Sequence, residues 1–520
     1  MIQIQSYLEG KWQFGSGKAS VLVDPSTEEP VAEACADGLD LAAALAFARD
    51  KGGAALRAMT FAERGELLRA MSRAIHGKRD ELLALSVRNA GTTRSDAKFD
   101  VDGATGTLAY YADLGKELGA TRVLEDGEAF QLARSPRLYG AHAWVPRRGV
   151  AVHINAFNFP AWGLGEKAAC AILAGMPVFV KPATSTALVA FRIAQILVEE
   201  RVLPDGVLSF LGGGAGSLVD HLTGQDVLAF TGSSATGQAL RAGKAALSHG
   251  VRVNVEADSL NAAVLGPDVG EGSETLTLFV NDVVRDMTQK TGQKCTAIRR
   301  VYVPRDRVDA VVELLRDRLS RTKVGNPALD EVGMGPVATA QQLRDVRAGI
   351  EKLSSCAKVV LGGPGPVAGL GAPEGKGFFV APTLLVSLSP KAGDAVHEHE
   401  VFGPVATVMP YDGTAEDAAR LVAAGGGGLV SSVYSDDKDF VTSCVLAIAP
   451  FHGRVTIGSE KIAGQAVPPG TVLPSLIHGG PGRAGAGEEL GGRRGLGLYM
   501  QRVALQGDRA LLETVVGRRS

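Results

Sequence analysis

Cysteine is scarce in this chain: five occur in 520 residues, at positions 35, 170, 295, 356 and 444. The number is odd, the positions are scattered, and no CxxC pair or other metal-ligand spacing appears. A disulfide scaffold and a zinc ribbon are thereby disfavoured, and a reducing cytoplasm is the compartment implied. An excess of charge of one sign is also missing. Lys and Arg total 54 and Asp and Glu 56, a formal net charge of −2, so no global attraction draws the chain to nucleic acid or an anionic membrane. Long apolar runs are absent too. The longest, around Lys167–Val180, is too short to cross a bilayer and is broken by glycine and proline. The opening MIQIQSYLEGKWQFGSGK does not have the shape of a signal peptide. No fixed-period repeat occurs. His397-Glu398-His399 lacks the four-residue spacing of a helical zinc pair, so no metal is expected.

What is present reads as an ordinary globular chain, 45% hydrophobic and 21% charged, long enough for two or three domains. The first part reads as helical. Leu67, Leu68, Met71 and Ile75 recur at three- and four-residue intervals, and Thr60 with Glu63 has capping-box spacing. Near residue 121 the texture changes to a hairpin around Asp126-Gly127. From Gly149 five short β-rich runs (GVAVHINA, MPVFVKPA, GVLSFLGG, DVLAFTGS and VRVNVEA) alternate with helical stretches. That alternation predicts an α/β architecture with a parallel sheet. A second alternation follows Glu256, and an extended stretch, YMQRVALQG, closes the pattern.

Four stretches stand out: NAFNFPAWGLGEK (155–167), FTGSSATG (230–237), VEADSLN (255–261) and GQKCTA (292–297). Together and in this order they resemble the aldehyde dehydrogenase superfamily. The likeness continues through VKPATST (180–186), VGNPALDEVGMGP (324–336), GFFVAPTLL (377–385), EHEVFGPV (398–405) and GEELGGRRGLG (487–497). The resemblance implies a Rossmann-like dinucleotide-binding domain over residues 1–121 and 150–256 and an α/β catalytic domain over 257–480. It also implies a β oligomerisation arm over 122–149 and 497–520, a return segment over 481–496, and a homodimer built through the arm.

By the same resemblance Cys295 is the nucleophile, acting as thiolate. Asn158 and the Cys295 backbone N–H are the oxyanion donors. Glu256 is the general base, suited to the role if burial raises its pKa toward neutrality. Here the family's usual Leu-Gly-Gly-Lys after the base is replaced by Ala257-Asp258-Ser259-Leu260, which places a second carboxylate nearby. Lys167 and Glu489 match positions along the water and proton path. Ile154, Asn155, Phe157, Lys181, Thr184, Ser185, Gly212, Phe230, Thr231, Gly232, Ser233, Glu400 and Phe402 match the coenzyme site. NAD-preferring members often carry Glu where this chain has Thr184. A hydroxyl there and Lys181 favour a 2′-phosphate, so NADP is expected over NAD.

Within the superfamily the likeness is strongest to a subgroup acting on coenzyme A-linked semialdehydes in the breakdown of aromatic compounds. Three other readings compete. A CoA-acylating enzyme would typically lack the Glu256 base. A general NAD(P)-linked aldehyde dehydrogenase would take simple aldehydes. A non-catalytic scaffold would not need Asn158, Glu256 and Cys295 together.

Overall fold

The computed structural model describes residues 1–516; residues 517–520, the end of the segment assigned to the arm, lie outside the described residues. The five β-rich runs all become strands of one seven-stranded sheet. Its order is Arg252–Glu256, Val227–Thr231, Ala151–Ile154, Val178–Lys181, Leu208–Phe210, then Ser6–Leu8 and Lys11–Gln13. The first five are parallel, and the last two add antiparallel at the edge. Helices Trp162–Ala174 and Ala187–Glu199 are crossovers, and the first of these is buried along its whole length. Covering helices explain why the strands are near-continuous apolar runs rather than alternating ones. The chain lays down Ala151–Ile154 first, builds outward on one side, then returns to place Val227–Thr231 on the other. This reversal opens a crevice beyond the carboxyl ends of the two strands, the usual ligand position in such sheets.

A second seven-stranded sheet runs Lys358–Leu361, Thr383–Val386, Val405–Tyr411, Ile298–Pro304, Asn261–Leu265, Gly428–Tyr434 and His452–Gly458. It is parallel apart from its first, antiparallel edge strand. Glu256 ends a strand of the first sheet and Asn261 begins one of the second. The carboxyl edge of one sheet is thereby carried to the amino edge of the other.

A smaller sheet joins distant parts of the sequence. Leu138–Pro146 pairs antiparallel with Met500–Asp508 over nine positions and also with Leu124–Glu125 and Phe130–Gln131. The closing strand begins at Met500, because Gly492–Leu498 coil into tight 3-10 turns. A helix the sequence pattern does not announce, Arg509–Val515, follows it.

Helix Phe61–Gly77 starts at the capping box formed by Thr60 and Glu63, as the spacing predicts. The reading of the first part as helical fails for residues 2–34, which form five short strands. Each is three to five residues long, too short for a periodicity to register, and each is defined by its pairing, with one another and, for Ser6–Leu8, also with Leu208–Phe210. No helix among the described residues is long and apolar enough to cross a membrane.

Candidate active site

Cys295 sits in a turn that leads into strand Ile298–Pro304. The approach is contorted: Lys290, Thr291 and Gly292 all have left-handed backbone, with φ of 52°, 57° and 65°. For the first two this costs roughly 1–2 kcal/mol each. At Gly292 no side chain fits, since a Cβ would lie 2.2 Å from the Gly403 carbonyl oxygen. The turn is held from several sides. Asn261 Nδ2 donates to the carbonyls of Cys295 and Ala297, both at 2.8 Å. Lys294 Nζ contacts Asp286 at 2.6 Å and Gln289 at 2.9 Å. Arg299 donates to the carbonyls of Gly292, Lys294 and Gly403 and lies 3.5 Å from Glu400 Oε1. One guanidinium thus ties the cysteine turn to the loop carrying Glu400 and Phe402.

Of the five cysteines, Cys35, Cys170 and Cys444 are buried, and Cys295 and Cys356 are partly accessible. Burial pushes the Cys170 thiol up to about 12, in keeping with inert packing. Cys295 is also pushed up, first by burial and then by the Glu256 carboxylate. Burial and the Glu256 carboxylate therefore favour the resting thiol over a preformed thiolate. The proton has to leave during reaction, toward a neighbouring base.

Two cavities meet at this sulfur, and a third joins the first of them. A narrow chamber of about 40 Å³ is lined by Asn158, Lys167, Glu256, Cys295 and His478. A cleft of about 750 Å³ shares Asn155, Asn158, Thr231, Glu256 and Cys295 with it and extends over the crevice of the first sheet. A funnel of about 940 Å³ shares Phe99, Trp162 and Val472 with the chamber and opens on the other side.

Asn158 Nδ2 donates to the Gln293 carbonyl at 3.1 Å, which fixes the amide and leaves its second N–H for another acceptor. Glu256, 2% exposed, closes its strand opposite Thr231. The expectation that burial raises its pKa is corrected by a neighbour. Burial does push it up, but His478, whose Nε2 is 3.2 Å from Glu256 Oε2, together with Lys167 and the Cys295 thiol, holds it below the usual carboxylate range. The same nitrogen is 3.9 Å from Cys295 Sγ.

Lys167 Nζ lies 3.1 Å from Glu166 and 3.0 Å from Glu489, and Asn254 Nδ2 donates to Glu489 Oε1 at 3.0 Å. Carboxylate oxygens of Glu166, Glu256 and Glu489 gather within 4.8 Å of one another. One ammonium cannot neutralise three carboxylates. Glu489 accordingly stays above its ordinary pKa, raised by burial more than Lys167 lowers it.

Asp258, the residue that departs from the family pattern, is directed away from this group. Its carboxylate accepts from the Ser234 N–H at 3.1 Å, at the start of helix Ser234–Arg241.

Of the residues matched to a coenzyme, Ile154, Asn155, Phe157, Lys181, Phe230, Thr231, Gly232, Ser233, Glu400 and Phe402 line the large cleft. Thr184, Ser185 and Gly212 lie outside that lining. The Thr184 hydroxyl donates to the Gly213 carbonyl, Ser185 gives its carbonyl to Asn89, and the Gly212 amide donates to Ser6 Oγ. Glu400 accepts from the Ser259 N–H through Oε2, while buried Oε1 has no hydrogen bond. Burial pushes Glu400 up to about 7. Burial likewise lowers Lys181, with no carboxylate acting on it among the described residues. Phe402 packs edge-on against Phe157, 5.8 Å between centroids. A buried carboxylate oxygen whose one protein contact is the long 3.5 Å approach of Arg299 and an uncompensated cation at the other end fit a dinucleotide carrying ribose hydroxyls and phosphate.

Sequence reasoning did not single out His478, Glu166, Asn254, Asn261 or Arg299. His478 and Glu489 are eleven positions apart, and nothing local marks the histidine. The hairpin Ile477–Gly480 with Gly487–Leu490 makes them direct partners.

The sequence model of the aldehyde dehydrogenase family matches residues 12–503. The chain is 45% identical over 480 residues to 3,4-dehydroadipyl-CoA semialdehyde dehydrogenase of Aromatoleum evansii, covering 92% of this chain and 93% of that one. Lactaldehyde dehydrogenase from Escherichia coli superposes with a TM-score of 0.83 at 25% identity, over 97% of this chain and 99% of that one. Betaine aldehyde dehydrogenase from Staphylococcus aureus, in complex with NAD+, gives a TM-score of 0.84 at 22% identity, over 98% and 95%.

Proposed function

The chain belongs to the aldehyde dehydrogenase family, and we propose that it oxidises the aldehyde end of a CoA-linked semialdehyde to the carboxylic acid, with NADP preferred over NAD. The substrate we assign is 3,4-dehydroadipyl-CoA semialdehyde or a close analogue, in aromatic compound catabolism; the 45% identical relative supports this choice. The observation that carries the reaction type is the place of Cys295, where the substrate-side chamber and the large cleft meet.

In this reading the Cys295 sulfur adds to the aldehyde carbon while its proton passes to Glu256. Asn158, with one N–H still free, and the Cys295 backbone N–H hold the resulting oxyanion. The coenzyme, when bound, supplies the acceptor for the hydride that leaves this carbon. Glu256 first gives up the thiol's proton toward Glu489; ionised again, it takes a proton from water, the hydroxide adds to the Cys295 thioester, and the thiolate departs as the acid forms. Glu489 and Lys167, buried behind Glu256, pass the proton onward.

Lys181 would face the adenosine ribose, where a 2′-phosphate supplies the missing countercharge. Thr184 would join it by turning its hydroxyl from Gly213. Glu400 would hold the nicotinamide ribose through Oε1, beside Phe402. Exposed Lys98 and Arg285 on the funnel wall suit the phosphates of the CoA handle.

We assign residues 1–121 and 150–256 to coenzyme binding, 257–480 to catalysis, 481–496 to the return segment, and 122–149 with the closing segment to a dimerisation arm. Exposed Phe130, Leu132, Leu138, Leu511 and Val515 on the arm favour a second copy as its cover.

The deciding assay compares a CoA-linked semialdehyde with the same aldehyde lacking CoA, with and without added free CoA. The expected result is a kcat/KM at least about tenfold higher for the CoA-linked form, with NADPH formed in the absence of free CoA. A requirement for free CoA would assign acyl transfer instead. Equal kcat/KM values would remove the CoA handle.

A further inference from the structure

The acid–base group around Cys295 contains an imidazole that the reaction scheme above does not use. His478 is 4% exposed. Its Nε2 stands between the two groups that exchange a proton, 3.2 Å from Glu256 Oε2 and 3.9 Å from Cys295 Sγ. Backbone pairing fixes it there, because His478 lies opposite Glu489 in a two-stranded hairpin. That hairpin is itself tied to the Glu256 strand: Asn254 bridges to Glu489 and to the Glu488 N–H, and the Ala257 N–H donates to the Ala484 carbonyl.

The charges facing His478 come from every side. Glu256 sits on its strand end and Cys295 on its turn. Glu166 and Lys167 lie on the buried helix, Arg454 on a strand of the second sheet, and Glu489 across the hairpin. Glu256, Glu166 and Glu489 together outnumber the cations Lys167 and Arg454, and a protonated imidazole supplies the third positive charge. Burial pushes His478 down, but Glu256 and, after it, Glu166 keep it above its ordinary value.

We propose that His478 is a catalytic residue: its imidazolium is the countercharge that keeps Glu256 an ionised base and receives the Cys295 thiolate as that anion forms. The inference rests on the reading of this site as a cysteine-dependent aldehyde oxidiser. In the first step the S–H bond breaks, its proton moves to a Glu256 oxygen, and the sulfur electron pair forms the C–S bond. The imidazolium keeps its own proton, and the net charge of the three groups is unchanged until the carbonyl oxygen takes up the negative charge. In the last step the C–S electron pair returns to sulfur, again beside the imidazolium. Without the cation, the buried carboxylate before the transfer and the thiolate released in the last step would each stand without this countercharge, and each would hold its proton more tightly.

The sign for pH follows. A depressed Glu256 stays ionised as pH falls, so activity persists to low pH. Removing His478 leaves only Lys167 and the Cys295 thiol to oppose burial at Glu256, and the acid limb moves to higher pH.

The test uses the full-length enzyme with His478→Phe and His478→Gln, the second keeping a polar side chain without a charge. Three readouts are taken: the pH profile of kcat/KM, the pH dependence of Cys295 alkylation by iodoacetamide, and coenzyme binding as a check on the fold. The expected result is an acid limb shifted upward by at least about one pH unit. Alkylation at pH 7 should be slowed about tenfold or more, with coenzyme affinity retained. Profiles that overlay the wild type in both folded variants overturn the proposal. On the wild-type protein, ¹⁵N-histidine NMR at pH 7 is expected to show both ring nitrogens of His478 protonated; a neutral ring overturns it independently of any variant. If Cys295→Ser oxidises aldehyde at the wild-type rate, the underlying reading has failed. If Cys295 is essential and the His478 variants overlay, only this inference has.

Discussion

The Asn158 side-chain amide donates to the carbonyl of Gln293 at 3.1 Å, a bond that spans 135 residues of sequence and joins the end of one sheet to the cysteine turn of the other. It pins one amide hydrogen and, by doing so, aims the second. Asn158→Ala removes both the anchor and the donor. The expected loss in kcat is about 10²–10³-fold, with coenzyme affinity changed little. Single-turnover measurement of NADPH formation checks it, and a loss confined to KM would count against an oxyanion role.

Cys295→Ser replaces the sulfur with a hydroxyl that stays protonated throughout the pH range of activity. A rate loss of about 10³-fold or more is expected. Brief treatment with iodoacetamide should label Cys295 and Cys356 in the folded protein and leave Cys35, Cys170 and Cys444 untouched, since those three are buried. Peptide mass mapping after quenching reads this directly.

The proposed preference for NADP rests on the surroundings of Lys181. Thr184→Glu places a carboxylate where a 2′-phosphate would be received. It should lower the NADP/NAD ratio of kcat/KM, reversing the preference. A ratio left unchanged would show that Lys181 and Thr184 do not read the 2′ position.

The cysteine turn stands on a buried ion pair. Lys294 and Asp286 side chains are 1% and 0% exposed and 2.6 Å apart. Asp286 also accepts from the Ile298 N–H. Lys294→Met leaves the carboxylate buried without its cation, at a cost of roughly 3–5 kcal/mol. Chemical denaturation should report a midpoint well below that of the wild type. The double variant Lys294→Met with Asp286→Asn should recover much of the loss, because the uncompensated charge is gone.

Much of the architecture was legible in the chain itself. Five β-rich runs between helical stretches specify a parallel sheet, because strands covered on both faces must be apolar throughout, and that pattern is local. Thr60 and Glu63 announce their helix because a capping box closes within one turn. The short strands of residues 2–34 were not legible, since three to five residues carry no periodicity of their own. Their partners decide them.

The same division runs through the site. Sequence resemblance names Cys295, Asn158, Glu256, Lys167 and Glu489, because each lies inside a recognisable local motif. It does not reveal that Asp258 turns toward Ser234, that Arg299 joins the cysteine turn to the Glu400 loop, or that His478 touches both base and nucleophile. Those relations depend on through-space distance between segments far apart in sequence. The pKa of Glu256 is the sharpest case. Residue type and burial alone call for it to rise. An imidazole brought within 3.2 Å by a hairpin, with Lys167 and the Cys295 thiol beside it, lowers it instead, because together these contacts exceed the cost of leaving water. The sequence determined which groups are available, and tertiary packing decided which charge each one holds.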